Sequence, residues 1–244
     1  MVKSYMLTIP RTVPRRAVML MIENNDCKKW IVAKETGKNG YEHWQVRLES
    51  SNPDFFGWVK KHIPNAHVEE ASAGVDESEY EIKEGQYVRS SDRVEVLKQR
   101  YGEMRPAQKR ALQALQATND RQVVVWYDEG GNVGKSWFCG ALWERGLAYY
   151  VPPTIDTVKG MVQWVASCYA EGGFRPYIII DIPRSWKWSE QLYVAIESIK
   201  DGLVYDTRYH SRLMNIRGVK VMCLTNNYPK VDKLSADRWC ICEF

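Results

Sequence analysis

The segment that most constrains the fold is a glycine-rich loop that ends in Gly-Lys-Ser. It follows a short apolar run, Val123–Tyr127, and precedes a helical pattern that starts at Lys135. A strand, such a loop and a helix in this order are typical of a phosphate-binding loop, because backbone N–H groups and the helix N-terminus can surround phosphates. The loop residues are Gly130, Gly131, Asn132, Val133, Gly134, Lys135 and Ser136.

Two side chains at the end of this loop have the chemistry that ATP requires. Lys135 is expected to reach the β- and γ-phosphates, and Ser136 to ligate the Mg²⁺ that accompanies ATP. The usual pattern has a glycine five residues before Gly134, where this chain has Glu129, so the two glycines after Glu129 must supply the flexibility of the turn. The loop therefore predicts an ATP site with one departure from the common sequence.

Two further strands are predicted after the loop, and each leads to a polar residue. Residues 177–180 are apolar and lead to Asp181, a carboxylate suited to hold the same Mg²⁺. Residues 219–224 lead to Asn226 and Asn227; either can sense the γ-phosphate, and Asn226 is our first choice. Strands that alternate with helices favour a mostly parallel sheet covered on both faces.

Basic residues near the C-terminus indicate further phosphate contacts. Arg238 is a candidate arginine finger that would act across a subunit boundary, and a surface salt bridge is the alternative. Between residues 204 and 217, basic and aromatic side chains are interleaved in a predicted hairpin, which can hold single-stranded DNA through phosphate contacts and stacking; a solvated loop is the alternative. Its candidate DNA-binding residues are Arg208, His210 and Arg212.

The N-terminal part of the chain has the alternating pattern of strands. Apolar residues occupy every second position from Tyr5 to Ile9. Two more apolar runs, at residues 30–33 and 44–48, are separated by turn-forming residues and predict a β-hairpin. Antiparallel strands with interspersed helices indicate a small α+β domain over residues 1–90.

Residues 91–119 are predicted to form a helical connector to a second domain over residues 120–244. Between Val88 and Arg121 the chain has eight basic and four acidic residues, while the formal net charge of the whole chain is +4, so the remainder is neutral overall. A basic connector fits a segment that contacts phosphate or forms oligomers. A solvated helical face explains the charge equally well.

Three side chains of the predicted hairpin can share a divalent cation. His43 and Gln45 are two residues apart in a strand and point to the same face, and Glu35 in the preceding strand can add a carboxylate. One nitrogen and two oxygen ligands suit Mg²⁺ or Mn²⁺ better than Zn²⁺, and such an ion would polarise a phosphate. Taken alone, His43 is also explained as a half-buried strand residue.

Tyr80 and Lys83 are candidates for covalent chemistry on that phosphate. Residues three apart on a helix share a face, so both can meet one phosphate. A tyrosine hydroxyl has a reference pKa of about 10, so its attack at neutral pH needs activation by a nearby ammonium and a metal. The surrounding stretch is acidic, which is unusual for a DNA site and fits a solvated loop. Its acidic residues are Glu69, Glu70, Asp76, Glu77, Glu79 and Glu81.

Composition is that of an ordinary globular protein. No apolar run reaches the roughly 18 residues that a membrane span needs, and no apolar signal core follows Lys3, so we expect neither a membrane protein nor a secreted one. The six cysteines include no Cys-x-x-Cys pair, which indicates free thiols in a reducing compartment.

The order of these motifs resembles the Rep proteins of small circular single-stranded DNA viruses. The resemblance is carried by His-Trp-Gln at residues 43–45, Tyr-Glu-Ile-Lys at residues 80–83 and the phosphate loop. The spacing is similar to circovirus Rep, and the His-Trp-Gln and Gly-Asn-Val-Gly-Lys-Ser sequences are most similar to smacovirus Rep. Residues 7–10, Leu-Thr-Ile-Pro, match the family's first motif, in which Thr8 would contribute to recognition of origin DNA.

The resemblance implies an α+β N-terminal HUH endonuclease domain with an antiparallel sheet. A helical linker would join it to an α/β P-loop superfamily 3 helicase domain of the AAA+-like type. Tyr80 would be the nucleophile that forms a 5′-phosphotyrosine, and Lys83 would position the phosphate. The matching metal ligands are Glu35, His43 and Gln45. The matching helicase residues are Lys135, Ser136, Asp181, Asn226, Arg208 and, with weaker spacing, Arg238.

The implied function is the initiation of rolling-circle replication, by nicking and rejoining single-stranded DNA at a viral stem-loop origin and by ATP-driven unwinding. The resemblance also implies a homo-oligomer, a hexameric ring, that acts inside the host cell, in the nucleus where the host is eukaryotic. One alternative is a nucleic-acid-binding P-loop ATPase without nuclease activity. Another is an ATPase whose basic connector assembles with other proteins.

Overall fold

Two five-stranded sheets organise the chain, one antiparallel and one parallel. The computed structural model describes residues 2–76, 80–84, 86–206 and 212–243. The chain divides into two compact units, Met1–Arg100 and Tyr101–Phe244, and each contains one of these sheets. The mixed α and β content agrees with the predicted class of fold, and the division lies within the predicted connector.

The first unit is built around an antiparallel sheet of strand order β4-β1-β3-β2-β5. The predicted hairpin is present, and its register places Glu35 of β2 opposite His43 of β3. In chain order the elements are β1 (Lys3–Pro10), α1 (Arg15–Asn24), β2 (Lys29–Thr36), β3 (Glu42–Ser50), α2 (Phe55–His62), β4 (His67–Glu70), a 3-10 helix (Tyr80–Ile82), β5 (Tyr87–Arg89) and α3 (Val94–Tyr101).

The two faces of this sheet have different partners. Leu7 of β1 and Val46 of β3 pack with side chains of α1 and α2, such as Val18 and Phe55, in one buried apolar cluster. Side chains alternate along a strand, so Thr8, His43 and Gln45 project to the opposite face. One face of the sheet therefore forms the main core, and the other carries a small apolar cluster around Ile31 and Ala33 beside these polar side chains.

The second unit is built around a parallel sheet of strand order β12-β6-β11-β8-β7, with β9 and β10 as a separate antiparallel pair. In chain order its elements are α4 (Pro106–Ala117), β6 (Val123–Tyr127), α5 (Lys135–Glu144), β7 (Ala148–Val151), α6 (Val158–Gly172), β8 (Tyr177–Ile182), α7 (Glu190–Asp201), β9 (Leu203–Asp206), β10 (Arg212–Asn215), β11 (Lys220–Thr225) and β12 (Trp239–Cys242), with 3-10 helices at Val231–Lys233 and Ala236–Arg238.

Both faces of the parallel sheet are buried, as the sequence predicts. Alternate residues of β6 enter different clusters: Val125 packs with side chains of α6 and α7, whereas Trp126 packs with side chains of α4 and α5. Ala111 and Leu115 of α4 are fully buried against Trp126 and its neighbours. The apolar stripe of α4 therefore belongs to the core of the second unit.

Two general expectations can be compared with the structure directly. All six cysteines lie in described segments and are free thiols, as expected. Burial raises the pKa of the Cys27 thiol to about 11, so its reactive thiolate is scarce at neutral pH. In the described ranges no helix combines the length and the apolar character that a bilayer-crossing segment needs.

A buried ion pair fixes the end of the first unit. The Arg100 guanidinium donates to both carboxylate oxygens of Asp92, at 2.6 and 3.1 Å, and to the Tyr87 carbonyl at 2.9 Å. The side chains of Arg100 and Asp92 are only 2% and 8% exposed. Arg100, one of the basic residues counted in the connector, is therefore committed to the fold of the first unit.

Replacement of Asp92 by alanine is expected to lower the free energy of unfolding of the first unit by about 3–5 kcal/mol, because it leaves a buried guanidinium without its carboxylate. Urea denaturation followed by hydrogen-exchange mass spectrometry can assign the loss to this unit. Glu70→Ala is the control, because its ion pair with Lys3 is exposed to solvent and should contribute far less to stability. Equal losses in the two variants would contradict the role of burial.

Candidate functional site

The three predicted metal ligands lie together on the polar face of the first sheet. Their β2 and β3 positions bring His43 Nε2 to 3.8 Å from Glu35 Oε2. Gln45 lies opposite Thr8 of β1, and the Thr8 hydroxyl donates to Gln45 Oε1 at 3.1 Å. Glu35, His43 and Gln45 are only 3%, 9% and 4% exposed. Strand register therefore places one imidazole, one carboxylate and one amide on the same face of the sheet, and all three side chains are buried.

The tautomer of His43 follows from its second nitrogen. Nδ1 lies 3.1 Å from the Tyr41 carbonyl oxygen, and because a carbonyl only accepts, Nδ1 carries the hydrogen. In the neutral imidazole, Nε2 then has the free lone pair on the side of Glu35. The Tyr41 ring also stacks on His43, with centroids 5.3 Å apart. His43 is thus held with a nitrogen ready to bind a cation.

The Glu35 carboxylate has a partner for one of its oxygens. Oε2 is 2.9 Å from Lys83 Nζ, whereas Oε1 is buried and has no hydrogen-bond partner among the residues that the structure describes. A buried acceptor without a hydrogen bond lowers the free energy of unfolding by about 1–3 kcal/mol, and a cation bound at Oε1 would remove this penalty. Within the same residues, no three His, Cys, Asp or Glu side chains form a metal site, so Gln45 would have to be the third ligand.

Lys83 connects this carboxylate to Tyr80. Its Nζ lies 3.5 Å from the centroid of the Tyr80 ring, and Tyr80 is 55% exposed. Burial alone would lower the pKa of Lys83, but hydrogen bonds to Glu35 and Tyr80 and their charges outweigh it and raise this pKa, so the amine is an ammonium at neutral pH. Consecutive contacts therefore join Tyr80, Lys83, Glu35 and His43 on one side of the sheet.

A buried ion pair holds the segment that carries Tyr80. Arg47 Nε of β3 lies 3.0 Å from Glu81 Oε1, and its Nη1 donates to the Ala73 carbonyl at 3.0 Å. Glu81 is only 1% exposed. The solvated loop expected for the acidic stretch is therefore corrected at Glu81, whose carboxylate is buried against Arg47.

Other acidic residues near Tyr80 are also paired. Glu70 forms an ion pair with Lys3, and Asp76 forms one with Lys29. Glu77 and Glu79 lie outside the described residues. The described part of this stretch is therefore less repulsive to a phosphate backbone than its composition suggests.

The glycine-rich loop of the second unit joins β6 to α5 through left-handed backbone. The φ angles of Gly131, Asn132 and Gly134 are +82°, +64° and +90°, and Gly134 caps the start of α5. A cavity of about 290 Å³ lies against the loop. It is lined by Gly131, Asn132, Val133, Gly134, Lys135, Ser136, Trp137, Arg184 and Asn226.

Asp128 organises this loop, although it belongs to none of the predicted site residues. Its Oδ2 accepts from Gly131 N at 2.6 Å and from Lys135 Nζ at 3.2 Å. Its carbonyl oxygen accepts from Asn226 Nδ2 at 2.5 Å and from Lys135 Nζ at 3.3 Å. Asp128 therefore closes the turn in which Glu129 replaces the usual glycine. An aspartate between a buried strand and Gly-rich residues is the signal for such a turn.

The ends of β8 and β11 bring the remaining predicted ATP residues to the same edge of the sheet. Asp181 shares a second cavity, of about 350 Å³, with Ser136. Asn226 lies beside the loop, whereas the Asn227 amide donates to the carbonyls of Arg184 and Trp186 at 2.9 and 2.7 Å. The geometry therefore favours Asn226 over Asn227 as the residue that meets a bound phosphate.

Arg184 is a basic residue of the loop cavity that the sequence did not indicate. Its Nη2 donates to the carbonyls of Glu129 and Gly130 at 3.0 and 3.1 Å. Arg184 lies three residues after Asp181, and its position near the end of β8 is the only feature of the sequence that could have indicated a role in the loop cavity. The guanidinium adds a positive charge opposite Lys135 across the loop cavity.

Arg238 is held inside the second unit. It is 5% exposed, and its Nη2 lies 3.2 Å from Glu197 and 2.9 Å from Asp201 of α7. These contacts describe an intramolecular salt bridge, the alternative to an arginine finger. For Arg238 to act as an arginine finger, its ion pairs with Glu197 and Asp201 would both have to break.

The predicted basic hairpin corresponds to the β9 and β10 pair. Arg212 is exposed at the start of β10, opposite Asp206 of β9. Arg208 and His210 lie outside the described residues. Only Arg212 of the three candidate DNA-binding residues can therefore be placed.

Comparison with known proteins found relatives that are similar in sequence to this chain. No protein-family model matches the chain. The chain is 29% identical over 176 residues to Para-Rep C10 of the Milk vetch dwarf C10 alphasatellite, and 28% identical over 164 residues to Para-Rep C7 of the Faba bean necrotic yellows C7 alphasatellite. The predicted resemblance to Rep proteins is confirmed. The matches cover 67% and 63% of this chain but only 59% and 55% of the two relatives.

Asp128→Ala is expected to lower the free energy of unfolding of the second unit by about 1.5–3 kcal/mol, because Gly131 and Lys135 lose a charged hydrogen-bond acceptor. Thermal and urea denaturation measure this loss. The matched control is Glu129→Ala, which removes an exposed carboxylate from the next position and should change stability by about 0.5 kcal/mol or less. Similar losses in both variants would indicate an effect of net charge instead of these bonds.

Proposed function

We propose that the first unit is a metal-dependent HUH endonuclease that nicks and rejoins single-stranded DNA through Tyr80. The observation that carries this proposal is the unbroken series of contacts from Tyr80 through Lys83 and Glu35 to His43. Among the described residues Glu35 Oε1 has no hydrogen-bond partner, which supports the proposal because a buried carboxylate oxygen of this kind fits a cation.

Glu35, His43 and Gln45 would hold Mg²⁺ or Mn²⁺, which supplies positive charge beside a DNA phosphate. Lys83 stabilises the phenolate that forms when Tyr80 gives its proton to solvent water, and the leaving 3′-oxygen takes a proton from solvent. The Tyr80 oxygen then bonds to phosphorus while the bond from phosphorus to the 3′-oxygen breaks. The products are a 5′-phosphotyrosine and a free 3′-hydroxyl, and rejoining is the same exchange in reverse.

The second unit is a P-loop ATPase of the superfamily 3 helicase type in this proposal, and it unwinds DNA. Lys135 and Arg184 balance the phosphate charge of ATP, and Asn226 contacts the γ-phosphate or the attacking water. Ser136 and Asp181 would hold the accompanying Mg²⁺. The left-handed loop, its cavity and the shared cavity of Ser136 and Asp181 support this assignment.

The Para-Rep names of the relatives support a role in the initiation of rolling-circle DNA replication. The partners would be single-stranded DNA, a viral origin stem-loop and further copies of the chain in a hexameric ring. Thr8, Arg208, His210 and Arg212 are the proposed DNA contacts. The protein would act inside the host cell, in the nucleus of a eukaryotic host.

Tyr80→Phe should abolish cleavage of stem-loop oligonucleotides and the covalent protein–DNA conjugate, because the ring remains but the nucleophilic oxygen is gone. ATP hydrolysis should survive. Lys135→Ala should have the converse effect, since it removes a phosphate contact of the other unit. Labelled oligonucleotides with Mn²⁺ on denaturing gels, together with phosphate release, measure both activities.

Two outcomes of this experiment would change the proposal. A conjugate that persists in Tyr80→Phe would place the nucleophile elsewhere. A wild-type protein that hydrolyses ATP and binds DNA but forms no conjugate would be a nucleic-acid-binding ATPase without nuclease activity.

Mn²⁺ should stabilise the first unit of the wild type, by about 2.7 kcal/mol at a concentration 100 times the dissociation constant. Glu35→Gln should lose most of this stabilisation, because an amide is a much weaker cation ligand than a carboxylate. Glu42→Gln is the control, since Glu42 is exposed in the same hairpin. Stabilisation by Mn²⁺ that is unchanged in Glu35→Gln would exclude this metal site.

A further inference from the structure

One hydroxyl group in the second unit contacts the carboxylate that is proposed to hold Mg²⁺. The Tyr150 hydroxyl of β7 donates to Asp181 Oδ2 of β8 at 3.0 Å. β7 is the edge strand beside β8, and the two strands run parallel, with Tyr150 opposite Ile179. The indole N–H of Trp164 also donates to the Tyr150 carbonyl at 2.8 Å. Tyr150 is therefore held at both its backbone and its hydroxyl.

The contact lies in the cavity that contains the end of the phosphate loop. This cavity of about 350 Å³ is lined by Ser136, Cys139, Gly140, Trp143, Tyr150 and Asp181. Among the described lining residues, only Ser136 and Tyr150 offer a side-chain hydroxyl to the Asp181 carboxylate. The Tyr150 hydroxyl can therefore determine which oxygen of Asp181 remains available to bind a cation.

We infer that Tyr150 is a positioning residue for ATP hydrolysis, which fixes the Asp181 carboxylate by engaging Oδ2 and leaves Oδ1 for the ion that Ser136 shares. The inference rests on the proposed ATPase function. A carboxylate can rotate about its terminal bond, and a donor to one oxygen limits that rotation. Outer partners of metal ligands act in this way, and their loss typically weakens metal binding about 10–100-fold.

The Tyr150 hydroxyl acts on Asp181 through one contact. It donates to Asp181 Oδ2 at 3.0 Å. In this proposal Tyr150 influences ATP hydrolysis only through the carboxylate that it holds.

The neighbouring tyrosine provides a matched control. Tyr149 is on the opposite face of the same strand, in the cluster of α6 and α7, and its hydroxyl donates to the Gly173 carbonyl at 2.9 Å. Tyr149→Phe and Tyr150→Phe therefore each remove one hydroxyl and one hydrogen bond from β7. Only the second removes a bond to Asp181.

The test compares the 244-residue wild type with both tyrosine variants by electron paramagnetic resonance of Mn²⁺ in the presence of a non-hydrolysable ATP analogue. Glu35→Gln is added to all three chains, so that the Mn²⁺ site proposed in the first unit does not contribute to the signal. Tyr150→Phe should bind Mn²⁺ about tenfold more weakly, whereas Tyr149→Phe should match the wild type. ATP hydrolysis should need about tenfold more Mg²⁺ for its half-maximal rate in Tyr150→Phe, with a smaller change in kcat at saturating Mg²⁺.

Asp181→Asn keeps the inference falsifiable if Tyr150→Phe also lowers stability. In the Asp181→Asn background the tyrosine substitution should change Mn²⁺ affinity less than twofold, because the carboxylate that it positions is absent. A tenfold loss in that background, or equal Mn²⁺ affinities of Tyr150→Phe and the wild type, would overturn the inference.

If the proposed ATPase function is wrong, these measurements give a result that differs from a failure of the inference on Tyr150. A wild type that binds the Mn²⁺–nucleotide complex but does not hydrolyse ATP would overturn the ATPase proposal, while the Mn²⁺ affinities would still decide the role of Tyr150. A wild type that binds no such complex would overturn both.

Discussion

The alternation of side chains along each strand is the constraint on which both candidate sites depend. In the first unit one sheet face packs on α1 and α2, so the other face is free to collect Glu35, His43 and Gln45. In the second unit both faces of the sheet are buried. Polar side chains can therefore meet a ligand only at the ends of the strands. The first unit therefore has its candidate chemistry on a sheet face, and the second has it at a sheet edge.

Charged side chains hold the candidate residues in place in both units. Arg47 and Glu81 form a buried pair that secures the segment of Tyr80 on the sheet. Asp128 has the same function in the phosphate loop, where it contacts Lys135 and Gly131. Removal of one member of a buried pair costs several kcal/mol, because the other charge loses its compensation. These pairs therefore restrict short loops that have little apolar surface of their own to bury.

The strands, the helices and the glycine-rich loop were largely predictable, since each has a local signature. The predicted hairpin, for example, is formed by β2 and β3, and α5 starts at Lys135 as the pattern indicated. The role of Glu81 was not predictable, because burial of a glutamate depends on a partner 34 residues away. The same holds for Arg238, whose carboxylate partners lie on α7, 41 and 37 residues before it. Ionic pairing over such distances has no local pattern.

The sequence by itself determined the order of the elements, the phosphate loop and the resemblance to Rep proteins, because short-range patterns and motif order are properties of the chain. Only the tertiary structure decided which charged side chains are committed to internal pairs, and it showed that Glu35 Oε1 has no hydrogen-bond partner among the described residues. It also showed different contacts for Asn226 and Asn227, and it revealed the contacts of Asp128 and Tyr150. Distance, burial and desolvation govern these outcomes, and they arise only when segments far apart in the chain pack together.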